Sequence, residues 1–207
     1  MKKNFIILLC FLSFLFVGKV QPQEKEIFVS EVKIEPVSGK GNLKAMAEIV
    51  INNCLKIREI RVLKIGDQTK LKFPYYVSRR GEVYPQVIVH TQQANEVIQK
   101  AVEKDKISLS TGTVPEGQSP WLDYEITKMT PFTQFKQLKA FAAVTFNKAI
   151  TVECKIMSGK KGLWVSWPAS AAKTKGEPWV KQVIILDREL KENIERDLFV
   201  HYHEKKE

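Results

Sequence analysis

The chain has 207 residues, with 33 Lys and Arg against 23 Asp and Glu for a formal net charge of +10, and 44% of it is hydrophobic and 27% charged. That composition excludes a disordered, collagen-like or multi-span membrane protein, and the length suits one ordinary domain or two small ones around a packed core. Three cysteines and three histidines, scattered along the chain, exclude a zinc ribbon, an iron–sulfur site and a disulfide-rich miniprotein.

In chain order, Met1-Lys2-Lys3 precedes the apolar run Phe5 to Val17, broken only by Ser13, which is the pattern of an export signal. The run is shorter than the roughly 17–25 residues of a spanning helix, so residues 1–23 read as a cleaved signal peptide. An uncleaved membrane anchor is the alternative, because Phe16 before Gly18 and Ile7-Leu8-Leu9 before Cys10 do not suit a cleavage site. Lys2 and Lys3 favour a cytoplasmic N-terminus and an outward-facing domain. Removing the segment takes away Lys2, Lys3 and Lys19 and no acid, so the remainder stays basic.

Residues 24–103 form a first unit. Alternation settles in over Ile27–Ile34, β-branched residues run through Ala47–Ile51, Asn52-Asn53 offers a tight turn, and Ile57–Leu63 alternates again. A fourth strand leads into Phe73-Pro74, where proline ends the ladder; Val83–His90 is β-rich, and Ala94 to Val102 has helical spacing. Residues 104–121, rich in Ser, Thr, Gly and Pro, read as a linker. A second unit over residues 122–207 repeats the series. Its strands are read at Tyr124–Met129, Ala143–Phe146, Thr151–Met157 and Trp164–Pro168, with a turn at Asn147-Lys148. The β-rich stretch Trp179–Leu186 and the helical pattern Leu190–Phe199 follow, and the charged tail His201–Glu207 is expected to fray.

The repeat is explicit. Leu43-Lys44-Ala45-Met46-Ala47-Glu48-Ile49-Val50-Ile51-Asn52 returns 95 positions later as Leu138-Lys139-Ala140-Phe141-Ala142-Ala143-Val144-Thr145-Phe146-Asn147, with five of ten positions identical and three more apolar in both. The register then continues with one residue fewer, Glu59–Leu63 against Glu153–Met157. Phe73-Pro74 matches Trp167-Pro168, Gly81-Glu82 matches Gly176-Glu177, and Tyr84 faces Trp179. Each copy is expected to be a small antiparallel sheet with one C-terminal helix, an α+β unit. A unit of about 80 residues buries a marginal core, so the two copies are expected to pair as a pseudo-dimer related by a pseudo-two-fold.

The order Leu43-Lys44-Ala45-x-Ala47-x-Ile49, Asn52, Ile57–Leu63, an aromatic-proline step, a glycine turn and a terminal helix resembles the stage V sporulation protein G family, SpoVG. The second copy repeats it as Leu138-Lys139-Ala140-x-Ala142-x-Val144, Asn147 and Ile150–Met157. The resemblance covers nearly all of residues 26–103 and 122–203. It implies a small bacterial regulatory protein that dimerises, binds nucleic acid and influences septation, sporulation and gene expression. It also implies that the two copies form within one chain the pair that single-unit relatives form between chains. In the family a methionine-proline-serine step is followed by a Lys-Arg pair in a segment implicated in nucleic-acid contact. Here Arg79-Arg80 stands beside Gly81 in the first copy, and Lys173 and Lys175 stand beside Gly176 in the second.

Physically, Lys70, Lys72, Arg79 and Arg80 bracket one turn, with Tyr75 and Tyr76 available to stack on bases; with Lys173 and Lys175 they are the candidate nucleic-acid contacts. A solvated loop whose aromatics pack on the sheet is the plainer reading of the same residues. Cys54 and Cys154 do not align and read as buried thiols, with a disulfide as the alternative that export permits. His90, His201 and His203 have no metal-ligand spacing, and Trp164, Trp167 and Trp179 read as core or interface. No nucleophile elbow or phosphate loop occurs, so a non-enzyme is expected, without catalytic residue, metal, cofactor or small-molecule substrate. Two functions remain. One is a regulator that binds DNA or RNA, cytoplasmic if the family role is retained. The other is an exported or membrane-tethered interaction or scaffold module for protein partners, without nucleic-acid binding.

Overall fold

Two asparagine-led turns show how literally the duplication is carried into structure. In the computed structural model, which describes residues 26–39, 41–105, 122–171 and 178–206, Asn52-Asn53 and Asn147-Lys148 all adopt positive φ of 45–57°. That left-handed backbone turns a three-residue loop, between paired Ile51 and Leu55 and between paired Phe146 and Ile150, and asparagine tolerates it best among residues with a side chain. The Asn52 side-chain carbonyl accepts from the Phe28 amide at 3.0 Å, and that of Asn147 accepts from the Asp123 amide at 2.8 Å. Each asparagine therefore ties its turn to the start of its own unit.

The first unit runs β1 (Val29–Pro36), β2 (Leu43–Ile51), β3 (Leu55–Ile65) and β4 (Gln68–Lys72), all antiparallel neighbours. A small hairpin of β5 (Tyr75–Val77) and β6 (Val83–Pro85) follows, then β7 (Val87–Val89) and helix α1 (Gln92–Lys104). The second unit repeats the series as β8 (Tyr124–Pro131), β9 (Leu138–Phe146), β10 (Ile150–Gly159) and β11 (Gly162–Ser166). Its hairpin is β12 (Ala169–Ser170) and β13 (Val180–Lys181), followed by β14 (Val183–Ile185) and helix α2 (Arg188–Lys206). The fold is α+β, with two antiparallel sheets each followed by a helix, as the alternation implies. Residues 1–23, most of the linker, Lys173, Lys175 and the Gly176-Glu177 turn lie outside the described residues.

The last strand of each unit leaves its own sheet. β7 pairs with β10 of the second unit, Val87 opposite Val152, and β14 pairs with β3 of the first, Val183 opposite Ile57. The flanking backbone bonds repeat in both directions. His90 donates to the Ala149 carbonyl and Leu186 to that of Cys54, both at 2.7 Å, while Arg58 donates to Gln182 at 2.8 Å and Glu153 to Gln86 at 2.9 Å. Proline fixes where the exchange begins, since the carbonyls of Pro74 and Pro168 each accept from two successive amides, those of Gln86 and Val87 and of Gln182 and Val183. One buried cluster joins the inner faces of both sheets to both helices, with Ile49, Ile57, Phe146, Ile150 and Ile194 wholly buried.

The missing residue in the repeat has a structural cause. Glu59 sits at φ +58° and, with Arg58, opposes the single residue Glu48, a β-bulge that β10 lacks. Glu153 therefore stands where Arg58 does, and Glu59 is the extra residue rather than its counterpart. Above the bulge Glu48 holds Lys56 at 3.0 Å and Arg58 at 2.6 Å. Burial pushes the Glu48 carboxyl up, but Lys56 and Arg58 beside it outweigh that and hold it below its ordinary range. The second unit has Ala143 at this place and a chain of hydroxyls instead, Thr127, Thr145 and Thr151, ending on His90 Nε2 at 2.7 Å from Thr151.

Three further expectations need correction. The tail does not fray: α2 continues through Lys206 because Tyr202 extends the buried stripe Leu190, Ile194, Leu198 by one more turn. Trp167 is packed and donates to Glu195 at 2.9 Å, but Trp164 and Trp179 are 50% and 69% exposed, Trp164 because it projects from the outward side of β11 opposite Met157. Hairpin pairing puts Val180 opposite Ser170 where Tyr84 stands opposite Tyr76, so Val180, not Trp179, is the counterpart of Tyr84. Cys54 and Cys154 are buried and not joined in a disulfide, and burial pushes both thiols up.

A half-buried tether predicts a pH effect. Tyr124 of β8 donates to Asp197 of α2 at 2.7 Å, and burial, with that bond and the Asp197 charge, raises its hydroxyl to about 12. The unfolded hydroxyl titrates near 10, so this contribution is complete below about pH 10 and is lost as pH rises toward 12. Urea unfolding between pH 8 and 11.5 should show stability falling with pH, and Tyr124→Phe should flatten that fall; an unchanged slope would remove Tyr124 from it.

Candidate nucleic-acid interface

β4 alternates by period two, so Leu71 packs toward the core while Lys70 and Lys72 project from the opposite side. Register places Lys72 across from Arg61 of β3. The chain turns at Pro74 and presents Tyr75 to both, with the Arg61 guanidinium 4.8 Å and the Lys72 ammonium 5.1 Å from the ring centroid. Arg61 also donates to the Tyr75 hydroxyl. Tyr75 thus gathers two cations on one ring, an arrangement worth about 0.5–1 kcal/mol per contact when exposed.

Tyr76 points the other way. Successive residues of a strand face opposite sides, and Tyr76 turns toward the second unit, with the Lys155 ammonium of β10 at 5.6 Å from its ring. The two tyrosines named together in the sequence therefore serve different surfaces. Beyond Val77, Ser78 organises the tip: its hydroxyl accepts from the amides of Arg80 at 3.3 Å and Glu82 at 3.1 Å. Its carbonyl accepts from Gly81, whose φ of +82° suits only glycine without strain. Arg79 and Arg80 stand exposed on this turn, and neither they nor Lys70 nor Lys72 forms an ion pair among the described residues.

The structure thus brings Lys70 and Lys72 together with Arg61, and sets Arg79 and Arg80 apart at the far end of the β5–β6 hairpin. Arg61 and Lys155 were missed by sequence reasoning. A signal existed, because both lie on outward-facing positions of matching strands, Arg61 opposite Met46 and Lys155 opposite Phe141. A surface cavity lined by Ile34, Val62, Asp67, Val102 and Asp105 among others is bounded by none of the candidates. Among the described residues no group of His, Cys, Asp and Glu is arranged to hold a metal ion, and no helix is long and apolar enough to cross a membrane.

Exposed cations without an ion pair are the groups that displace counterions from phosphates. Comparison with known proteins agrees with the repeat. The family model described as SpoVG matches residues 27–105 and again 123–204. A protein of Caldicellulosiruptor bescii named as a septation protein SpoVG is 25% identical over 85 residues, which is 41% of this chain and 97% of the relative. Its namesake in Caldicellulosiruptor saccharolyticus matches over the same shares at the same identity. Each relative is therefore the length of one unit.

Proposed function

The chain belongs to the SpoVG family, and on that premise we propose that it is a non-enzymatic, nucleic-acid-binding regulator of the septation and sporulation type whose two units work as a built-in pseudo-dimer. The family and the names of its relatives support a septation-related role. The single observation that carries the binding is the set of exposed cations without an ion pair among the described residues, Lys70 and Lys72 beside Arg61 on Tyr75 and, apart from them at the hairpin tip, Arg79 and Arg80. Phosphate contacts by these groups hold DNA or RNA without reading its sequence. The reciprocal pairing of β7 and β14 supports the pseudo-dimer, because each unit completes the other's sheet as a second subunit would. Export or membrane anchoring through residues 1–23 would place this surface outside the cytoplasm, and cell fractionation with identification of the mature N-terminal residue decides the location.

Gel-shift titrations of residues 24–207 on duplex DNA across a salt series test the binding. Affinity should fall steeply with salt, with a log–log slope of about −0.9 per phosphate neutralised, and Arg79→Ala with Arg80→Ala should weaken binding to all sequences alike and reduce the slope by roughly 2. Unchanged binding in the double variant would remove the hairpin tip from the site. Absence of binding by the wild type at about 0.15 M salt would favour the exported interaction module.

A further inference from the structure

We propose that the chain binds single-stranded nucleic acid across the seam between its two units, on a stripe of aromatic rings that only the pair completes. This rests on the nucleic-acid reading above and adds where the bases go. Tyr76 and Tyr84 lie opposite one another in the β5–β6 hairpin, both about half exposed, with centroids 6.4 Å apart and planes tilted by 33°. Lys155, from the second unit, sets its ammonium 5.6 Å from the Tyr76 ring and 5.9 Å from the Phe141 ring. Phe141 meets Phe132 edge-on at 5.3 Å, and Phe132 meets Phe135 at 5.8 Å, with Phe135 51% exposed. Rings thus run from the hairpin of one unit to the β8–β9 loop of the other. At their middle is a cation with no ion pair among the described residues.

Exposed rings alone would fit an apolar protein anchor as well. The charge decides: Lys155 lies between two rings of the stripe with no ion pair among the described residues, while Arg61 and Lys72 add positive charge on the other side of the hairpin, at Tyr75. Rings interleaved with unneutralised cations suit a partner that is flat and apolar at intervals and anionic between them. Unpaired bases joined by phosphates are such a partner, whereas a duplex keeps its base faces stacked inside and presents phosphates alone. The stripe is built once. In the second hairpin Ser170 and Val180 replace Tyr76 and Tyr84, and on the first sheet Met46 opposes Arg61 where Phe141 opposes Lys155. One strand per chain follows.

Fluorescence anisotropy with a labelled oligothymidylate and a labelled duplex of equal length, both on residues 24–207 at one salt concentration, tests the proposal. The wild type should bind the single strand about tenfold more tightly than the duplex, with one strand per chain. Tyr76→Ala and Lys155→Ala should each weaken single-strand binding, the tyrosine variant by about tenfold, and leave duplex binding within twofold; Tyr76→Phe should keep it. Arg79→Ala with Arg80→Ala should weaken both ligands together. Equal affinity of the wild type for the two ligands, or equal weakening of both by Tyr76→Ala, overturns the stripe while leaving the electrostatic reading standing. Binding to neither ligand overturns both and leaves the rings as a protein-docking face.

Discussion

Ile57→Ala is expected to cost about 2–5 kcal/mol and to lower the melting temperature of the whole chain by roughly 5–15 °C in a single transition. Ile57 is wholly buried, with Ile49 of its own sheet on one side and Val183 of the other unit on the opposite side. Its lost methyls open a void in a cluster that both units line, and collapse there is resisted by two strands at once. Val152→Ala makes the same test from the other side, since Val152 lies between Val144 and Val87; it removes fewer carbons and should cost less. Leu63→Ala, at the half-buried far end of β3 away from the exchanged strand, should cost about 1 kcal/mol or less. Calorimetry distinguishes the cases: two separate transitions, only one of which moves with Ile57, would contradict a shared core.

The β-strands and helices were legible because period two and period 3.6 are local signals, and the duplication showed each of them twice. The bulge was visible only as a one-residue change of offset. Which residue is inserted depends on which carbonyl its neighbours meet, and Arg58 and Glu153 are matched by bonds to residues far along the chain. The exchange of β7 and β14 was not legible for the same reason, since Val87–Val89 and Val183–Ile185 read as strand whichever sheet receives them. Charged residues in the tail concealed Tyr202, whose spacing from Leu198 was the available clue.

At the candidate interface, the cations of β4 and the hairpin were legible as a bracket around one turn. Their partition was not. Adjacent Tyr75 and Tyr76 both read as available to stack on bases beside one turn, although alternation alone sends neighbours to opposite faces. Lys155 is distant in sequence and reaches Tyr76 only through the crossing of the two units.

That crossing is tested most directly by the first unit on its own. Residues 24–110 retain β7 without the β10 edge that it pairs with, and retain β3 without β14. The unmet edges match each other, so two copies can restore both pairings at modest interface size, and a single copy leaves buried apolar surface and backbone groups open to water. Sedimentation equilibrium with circular dichroism should find this fragment folded only as a dimer, with unfolding that depends on protein concentration. A folded, concentration-independent monomer would contradict a pair in which each unit completes the other.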